Sequence, residues 1–525
     1  MRFSRVAVLG VLVVFPAAAL AWTGLSGGAG DALRDPATYD YLWNSVVLGL
    51  AAATLSVIFS APFALVAAFR TFPGRGLLEA AILVPLLVPA HVHTIGWMRI
   101  FGRQGYLTES LAAATGYVHE VRAPFCGVYL GPAWILACNL FPLVAVPALS
   151  ALRAVDTEAV AAARLAGAGR LRTLLSVILP SAWPRIAAGA FLVFAAAIGS
   201  FPTTSLLDTP VLAQRVFFAF SRPNEGIGGA AVQAAPLLLI AALFAWLLPE
   251  AMRRGGESFV RTAGGVRSGL SSFFLAAAAP ALTAIPPLYG LAGKVIEGTL
   301  RRPDEPSPFR TVFLQVKSEF ANSLLLGVSG AVLIVLIAWP LAWGLARRPS
   351  PRFEALLSGA AALPPVLLGL GVVVGWRACA DLPVIGLVYA SGAGLVLAAY
   401  AARFLPIALR MLSPAFDAEA AAQDDAARLA GAGPWRRAWS ILRPLQSGAV
   451  LGVLTLCYVL CFTELDATLM TYPPELRTVQ VRIFNMVHYS RDEEVAALCL
   501  LSVAAALIPP LFFATLRRNA DRRTA

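Results

Sequence analysis

The chain has 525 residues, of which 58% are hydrophobic and 13% are charged, and its formal net charge is +12. A soluble domain is about 45–50% apolar and about 25% charged, so this composition excludes an ordinary soluble protein and indicates a membrane protein. The positive charge does not indicate a nucleic-acid-binding protein, because it is almost entirely arginine spread over short loops between apolar segments.

Twelve apolar segments, each long enough to cross a bilayer as a helix of about 20 residues, follow one another along the chain. They span residues 4–24, 43–69, 77–100, 128–152, 186–206, 229–250, 269–293, 320–346, 354–376, 383–412, 447–470 and 494–516. Backbone groups inside a bilayer must be hydrogen-bonded within their own segment, so runs of this length predict helices rather than barrel strands. The predicted fold class is an all-α membrane protein with about 12 transmembrane helices.

Arginine is concentrated in alternate loops, and this bias predicts the orientation of the chain in the membrane. If Met1 is cytoplasmic, most of the 41 basic residues lie on the cytoplasmic side, as the positive-inside rule requires. Both termini are therefore predicted to be cytoplasmic. The outside loop at 294–318 is a basic exception, which we interpret as a surface facing a partner.

The first apolar segment has two interpretations. Its basic start, apolar stretch and small-x-small pattern are typical of a secretory signal, which would be removed. We instead expect a retained transmembrane helix, because the segment at 269–293 matches it at the start of the second half of the chain.

The chain consists of two similar halves. The octamer AARLAGAG at Ala162–Gly169 recurs letter for letter at Ala426–Gly433, and NSVVLGL at Asn44 corresponds to NSLLLGV at Asn322. Arginine, serine and proline positions around the octamer keep the same register, which chance repetition of alanine and glycine does not explain. We therefore predict two homologous six-helix halves at 1–255 and 269–525, connected by a cytoplasmic joint at 256–268.

The octamer lies in a cytoplasmic loop of each half, at about 153–185 and about 413–446. Each loop begins with Asp and Glu, which stabilise a helix N-terminus, and continues with alanine and leucine. A short helix, a sharp turn and a second helix entering the membrane are predicted. The glycines predicted to permit a left-handed turn are Gly167, Gly169, Gly431 and Gly433.

The loops resemble the E-A-A-x3-G-x9-I-x-L-P coupling loop of permease subunits from bacterial ATP-binding cassette (ABC) importers. The matching residues are Ala162, Ala163, Gly167, Val177, Leu179 and Pro180 in the first loop, and Asp425, Ala426, Ala427, Gly431, Ile441 and Pro444 in the second. The chain departs from the motif at Ala161, which replaces the acid, and at Arg443, which replaces a leucine. The fused two-half layout is similar to iron(III) and thiamine permeases.

This resemblance implies a type I permease in the bacterial inner membrane, which forms the substrate pathway without being an enzyme. Two ATP-binding cassette subunits would dock under the loops and bind the ATP, and an extracytoplasmic binding protein would deliver the substrate. The sequence agrees, because its Gly-Lys pair, Gly293–Lys294, is followed by Val295 and cannot form a phosphate-binding loop. No cofactor, metal site or catalytic residue is expected in this chain, since its His and Cys residues are scattered.

Four polar residues are candidates for the pathway: His91, His93, Glu464 and Asp466. The alternative role of the two histidines is helix packing or lining an outer vestibule. The side chains of the two acids are expected to diverge in direction, and their alternative role is at the outer surface or at a helix end. Pro85, Pro89, Pro364 and Pro365 interrupt the third and ninth segments, as hinges or as simple kinks.

The substrate is the least determined property. The stretch ELDATLMTYPPELRTVQVRIF resembles iron(III)-type permeases at Glu464, Thr468, Leu469, Pro473 and Thr478, which favours iron(III) over thiamine. Thiamine, polyamine or phosphonate import by the same machinery remain alternatives. A twelve-helix secondary transporter is the alternative in a different class, since such proteins are also built from two repeats.

Overall fold

The computed structural model describes residues 8–102, 105–116, 129–222, 224–243, 266–267, 269–347, 350–416 and 418–524. Within these ranges the fold is all-α apart from a parallel bridge of two residues, Arg70–Thr71 with Val266–Arg267. The predicted fold class is confirmed. Most of the joint at 256–268, together with Cys126, His119 and Asp417, lies outside the described residues.

Six described helices are long and apolar enough to cross a bilayer: Pro36–Phe69, Arg170–Ile198, Leu270–Arg301, Lys317–Arg347, Ala393–Ala415 and Asp492–Phe512. Four bent pairs also qualify: Arg75–Leu87 with Ala90–Ala114, Leu130–Leu140 with Pro142–Arg153, Gly226–Gln233 with Ala235–Leu243, and Pro434–Leu445 with Ser447–Thr463. Two shorter apolar helices are Gly10–Ser26 and Pro365–Ala378. In chain order these units follow the twelve predicted segments.

Shorter helices connect the spans. They are Ala29–Arg34, Tyr106–Thr115, Thr157–Leu165, Phe201–Leu206, Leu212–Ser221, Pro308–Gln315, Pro351–Ala362, Pro383–Ala390, Ala418–Leu429, Asp466–Thr471 and Val479–Met486. Single π-helical turns occur at Gly10–Val14, Leu174–Ile178 and Ala438–Leu442. The last two occupy equivalent positions in the two halves when the two octamers are aligned.

Several predicted segments are wrong as continuous helices. The segment at 77–100 bends by 90° before Ala90, and the segment at 354–376 stops at Ala362 and resumes at Pro365. Pro89 and Pro364 stand immediately before the resumed helices with extended backbone, where the missing proline N–H costs no helical hydrogen bond. The prolines therefore break both helices at corresponding places.

The boundaries of two other segments also differ from the prediction. The segment at 186–206 begins at Arg170 and ends at Ile198, followed by the separate helix Phe201–Leu206. The segment at 383–412 is divided into Pro383–Ala390 and a span from Ala393. Hydropathy marks apolar residues but not the backbone direction, so it does not detect a turn inside an apolar run.

The leading helix of each half packs on the opposite half. The helix Phe15–Ser26 packs on Pro365–Ala378, and Leu270–Arg301 packs on Ala90–Phe101. A Cβ added at Gly371 would lie 3.0 Å from the Pro16 carbonyl oxygen, and one added at Gly96 would lie 2.5 Å from that of Pro287. Glycine therefore permits the close helix contact at both crossings, as is common in membrane bundles.

Three of the cations in the basic loop at 294–318, Lys294, Arg301 and Arg302, form ion pairs within the chain. Glu297 pairs with Lys294 at 3.1 Å and with Arg301, while Arg302 pairs with Glu493 at 2.8 Å. Glu305 accepts from Arg491 at 2.7 Å. Arg302 and Glu305 thereby connect the loop to the start of the last helix, whereas Lys294, Glu297 and Arg301 pair within the helix Leu270–Arg301.

Candidate translocation pathway and coupling loops

The first loop presents a short helix that has no buried residue. Asp156 caps it by accepting a hydrogen bond from the Glu158 N–H at 2.8 Å, and the helix then runs over Thr157–Leu165. At its end Leu165 is 89% exposed, and Gly167 has a φ of +82°. Ala162 and Ala163 lie on the last turn, so their small side chains leave this helix open to close contact.

The second loop repeats this geometry in the other half of the chain. Its helix runs over Ala418–Leu429, Leu429 is also 89% exposed, and Gly431 has a φ of +80°. Ala426 and Ala427 occupy the last turn, as their counterparts do. Left-handed backbone is unfavourable for residues with a side chain, so glycine suits both turns.

Gly169 and Gly433 correct part of the prediction. Their φ angles are −65° and −63°, so they are extended residues that precede the next helix rather than left-handed turn residues. Further along, Pro180 and Pro444 stand inside the helices Arg170–Ile198 and Pro434–Leu445, just after the π-helical turns Leu174–Ile178 and Ala438–Leu442. Proline lacks the N–H that an α-helix interior needs, and a π-helical turn beside it is a common way for a helix to adjust its hydrogen bonds.

The second loop is held by an ionic contact for which the first has no equivalent charges. Asp424 is 1% exposed, pairs with Arg347 and accepts from Arg437 at 3.2 Å, while Asp425 pairs with Arg347 at 2.5 Å. At the equivalent positions, the first loop has Val160 and buried Thr173 instead of Asp424 and Arg437. The two loops therefore have similar exposed surfaces but different attachments to the membrane helices.

Sequence reasoning missed Asp424 and its two arginines. It singled out Asp425, whose side chain is 54% exposed and also bonds to Arg347. The available signal was the pair of aspartates within an alanine-rich helix, followed by two arginines after the turn.

Glu464 and Asp466 lie together in the interior, where they share one cation. Arg403 forms an ion pair with Glu464, and its guanidinium lies 3.9 Å from the Asp466 carboxylate. The expectation that the two acids diverge is wrong, because the helix Ser447–Thr463 ends before Glu464 and the backbone there is extended. Helical spacing therefore does not determine their directions.

This inter-half cluster, formed by Arg403, Glu464 and Asp466, connects the two halves. Asp466 accepts a hydrogen bond at 3.1 Å from the N–H of Phe201, which begins a short helix of the first half. Nearby, Tyr400 and Thr468 are joined by a hydroxyl–hydroxyl hydrogen bond of 3.0 Å. The cluster is thus a buried polar contact at the point where a helix of each half is broken.

The histidines are buried. His91 and Gln480 are hydrogen-bonded at 2.9 Å between the two halves, and because the glutamine Oε1 accepts, the histidine Nε2 carries the proton. Gln480 in turn donates to the Phe462 carbonyl and to Ser502, each at 3.1 Å. His93 is 0% exposed. The structure therefore places both rings in the packed interior, not on an open vestibule.

A pair of hydroxyl groups joins two broken helices within the first half. Thr94 donates to Thr203 at 3.1 Å, joining the helix that resumes after Pro89 to the short helix Phe201–Leu206. Both threonines are fully buried. The short helix Phe201–Leu206, whose first N–H donates to Asp466 of the second half, is therefore also tied to the helix after Pro89 by buried hydroxyl groups.

Comparison with known proteins identifies the family. Residues 60–249 match the family described as "Binding-protein-dependent transport system inner membrane component". Over 168 residues the chain is 34% identical to the molybdenum transport system permease protein ModB of Escherichia coli, covering 31% of this chain and 70% of that protein.

Two further relatives are less fully covered. The molybdate/tungstate transport system permease protein WtpB of Thermococcus kodakarensis is 31% identical over 166 residues, or 32% of this chain and 59% of WtpB. The spermidine/putrescine transport system permease protein PotB of Escherichia coli is 29% identical over 177 residues, or 33% of this chain and 63% of PotB.

These similarities favour an ATP-driven importer over the secondary transporter kept as an alternative, while the specific likeness to iron(III) and thiamine permeases is not confirmed. With its apolar helices, the chain is a multi-pass inner-membrane protein. It belongs to the family of binding-protein-dependent transport system inner membrane components, and is a permease subunit of an ABC importer.

Proposed function

We propose that this chain forms the translocation pathway between its two halves, and that the loops at 153–185 and 413–446 couple the pathway to ATP hydrolysis. Two separate ATP-binding cassette subunits bind the ATP and dock against the loop helices. An extracytoplasmic binding protein delivers the substrate to the other side. The nucleotide site is assigned to those subunits, because the Gly-Lys pair of this chain is followed by Val295 and cannot form a phosphate-binding loop.

One observation carries this proposal: each half has an alanine-rich helix with a largely exposed last turn, followed by a left-handed glycine. A leucine that is 89% exposed ends each helix beside two alanines, and the small alanine side chains let a partner pack closely against this turn. Two such surfaces fit two copies of one ATPase subunit, because the repeat gives each copy an equivalent contact.

The experiment is to introduce a charge into both surfaces by replacing Leu165→Asp and Leu429→Asp together. Since both side chains are 89% exposed, the change leaves the core intact. We expect the double variant to insert normally, to lose ATPase subunits on purification and to lose ATP-driven uptake. Burying an unpaired carboxylate in a protein contact is costly, so the loss is expected to be at least about tenfold.

A matched control is Leu300→Asp, which alters a leucine that is 75% exposed at the end of Leu270–Arg301, far from both loops in sequence. This control is expected to retain the ATPase subunits. Full retention of both the ATPase and uptake in the double variant would contradict the proposal.

For the substrate, we propose a tetrahedral oxyanion of the molybdate type. The support is the similarity to ModB and WtpB, whose names specify molybdenum or molybdate and tungstate. Polyamine import is the second candidate, because PotB is also similar and because one arginine against two acids leaves the inter-half cluster acidic. Iron(III), favoured by the residues around Glu464, is the third.

Calorimetry on the binding protein that associates with this chain distinguishes these substrates. Binding proteins choose the cargo, so their ligand identifies it. Tight binding of molybdate or tungstate is the expected result. Binding of spermidine, or of iron(III) through Tyr or carboxylate ligands, would replace the oxyanion proposal and leave the importer assignment intact.

A further inference from the structure

The helix Pro434–Leu445, which follows the turn of the second loop, has an exposed face that the first half does not share. Trp435 is 76% exposed and Trp439 is 47% exposed, and their ring centroids are 5.8 Å apart. The Arg443 guanidinium lies 4.6 Å from the Trp439 ring centroid. We call Trp435, Trp439 and Arg443 the Trp–Arg face.

The corresponding residues of the first half are purely aliphatic. The equivalent positions there carry Leu171, Leu175 and Leu179. The first loop also continues into its membrane span as one helix, Arg170–Ile198, whereas Pro434–Leu445 bends by 79° before Ser447–Thr463. The Trp–Arg face therefore lies on a segment that runs across the direction of its own span.

The helix Lys317–Arg347 gives the depth of this segment in the membrane. Its 31 residues measure about 46 Å, close to the roughly 40–45 Å of a bilayer with its headgroups. The Arg437 guanidinium lies 5.7 Å from the Trp343 ring, and Gln446 accepts from the Trp339 indole at 2.8 Å. Trp339 is eight residues, about 12 Å, before the end of that helix, and Trp343 is closer to the end. Because the segment contacts Trp343 through Arg437 and Trp339 through Gln446, it descends through the headgroup region.

One side of the segment is occupied and the other is open. Ala438 and Leu442 are buried, whereas the Trp–Arg face and Arg436 are exposed. Among the residues that the structure describes, neither Arg436 nor Arg443 has a carboxylate partner within ion-pair distance. The open side thus presents two tryptophans and two cations at headgroup depth.

We propose that the Trp–Arg face binds the headgroup of an anionic phospholipid in the adjacent leaflet. Tryptophan is favoured at the membrane–water interface because its ring is apolar and its N–H is polar, and arginine binds phosphate through charge-assisted hydrogen bonds. Stacking on Trp439 orients the guanidinium toward the phosphate. The site explains why Arg443 occupies a position where the coupling-loop motif has a leucine. It is independent of the transported substrate.

The test uses the full chain reconstituted in phosphatidylcholine vesicles that contain one brominated lipid, either phosphatidylglycerol or phosphatidylcholine. Bromine quenches nearby tryptophan, and subtracting the signal of a Trp435→Leu/Trp439→Leu variant isolates these two of the 11 tryptophans. We expect brominated phosphatidylglycerol to quench them at about fivefold lower mole fraction than brominated phosphatidylcholine, the effect of one arginine near an anionic surface.

Arg443→Leu is expected to abolish that preference while both tryptophans remain. These leucine substitutions introduce the first-half residues at exposed positions of the segment, and its buried residues Ala438 and Leu442 are unchanged, so folding is retained. Arg172→Leu removes the same charge from the first loop and is expected to leave the preference unchanged. Equal quenching by the two lipids, or an unchanged preference in Arg443→Leu, would overturn the lipid site. Shielding of the tryptophans only when ATPase subunits are added would also overturn it, and would assign the face to a protein contact.

Discussion

At the scale of single residues, the inter-half cluster shows how a charge can be kept inside an apolar bundle. Arg403 is one-quarter exposed and Glu464 is 4% exposed at the side chain, so neither charge is fully solvated. Glu464 also accepts a hydrogen bond from the Ala467 N–H at 2.8 Å. Buried charges persist when they are paired and hydrogen-bonded, which is the arrangement seen here.

Arg403→Leu is predicted to destabilise the protein more than Glu464→Gln. It leaves Glu464 and Asp466 without their shared cation, and breaking a buried pair by removing one partner costs about 3–5 kcal/mol. The partial exposure of Arg403 places the effect near the lower end of that range. Thermal denaturation of the purified chain in detergent measures it.

Glu464→Gln serves as the control, because it leaves the Arg403 guanidinium with the Asp466 carboxylate at 3.9 Å and so keeps one cation against one acid. Its denaturation temperature is expected to lie between those of Arg403→Leu and the native chain. Arg403→Leu as stable as the native chain would mean that Arg403 does not stabilise the two buried acids.

At the scale of elements, the loops depend on backbone conformation at one glycine each. Gly167 and Gly431 are left-handed, while Gly169 and Gly433, two residues later, are extended. A Cβ added at any of the four would meet no other atom within 4 Å. Steric space therefore does not distinguish the two pairs of glycines, whereas the sign of the φ angle does. This gives a closely matched control within the same turn.

Gly167→Val with Gly431→Val is predicted to uncouple ATP hydrolysis from transport. A left-handed residue with a side chain costs about 1–2 kcal/mol, and a β-branched one is more restricted still. Each turn is expected to relax and reorient its loop helix, so uptake falls at least about tenfold while membrane insertion persists. Uptake and ATPase activity are measured in proteoliposomes that contain the complete transporter.

Gly169→Val with Gly433→Val adds the same side chains at extended positions. Near-native uptake is expected for this pair, because its φ angles of −65° and −63° accept any residue. Equal uptake in the two double variants would show that the left-handed turn has no part in coupling.

At the scale of the whole molecule, the two halves are interlocked rather than side by side. Each leading helix packs on the opposite half, His91 contacts a glutamine 389 residues away, and Asp466 contacts a backbone group 265 residues away. Small residues at the crossings and polar contacts between the halves hold the bundle together. The pathway that we propose between the halves therefore opens only if these contacts rearrange.

The orientation in the membrane is predicted to place both loops in the cytoplasm. Single cysteines at Ala166 and Ala430, both exposed, are expected to resist a membrane-impermeant thiol reagent in intact cells, whereas cysteines at Gly116 and Pro474 are expected to react. The background lacks Cys126 and Cys379, since the other native cysteines are buried. Strong labelling from outside at 166 or 430 would reverse the orientation and remove the coupling proposal.

The sequence by itself determined that this is a membrane protein of the importer permease class, that its fold is helical, and where along the chain the two loops occur. Each of these depends on local information: apolar run length, arginine distribution, and a repeat whose anchors keep one register. The left-handed backbone at Gly167 and Gly431 could also be predicted from the sequence, because a short helix followed by glycine is a local pattern. The extended backbone at Gly169 and Gly433 could not, since the pattern alone does not show which of two glycines adopts the left-handed conformation.

Only the tertiary structure decided the partners of the buried charges and the breaks in the apolar segments. Arg347 and Asp424 are 77 residues apart, and Arg403 meets two acids from beyond the end of another helix. Such pairings depend on how helices cross, which neither hydropathy nor helical spacing specifies. The same is true of the Trp–Arg face: its residues are visible in the sequence, but its depth follows from a 79° bend and from contacts with a distant helix.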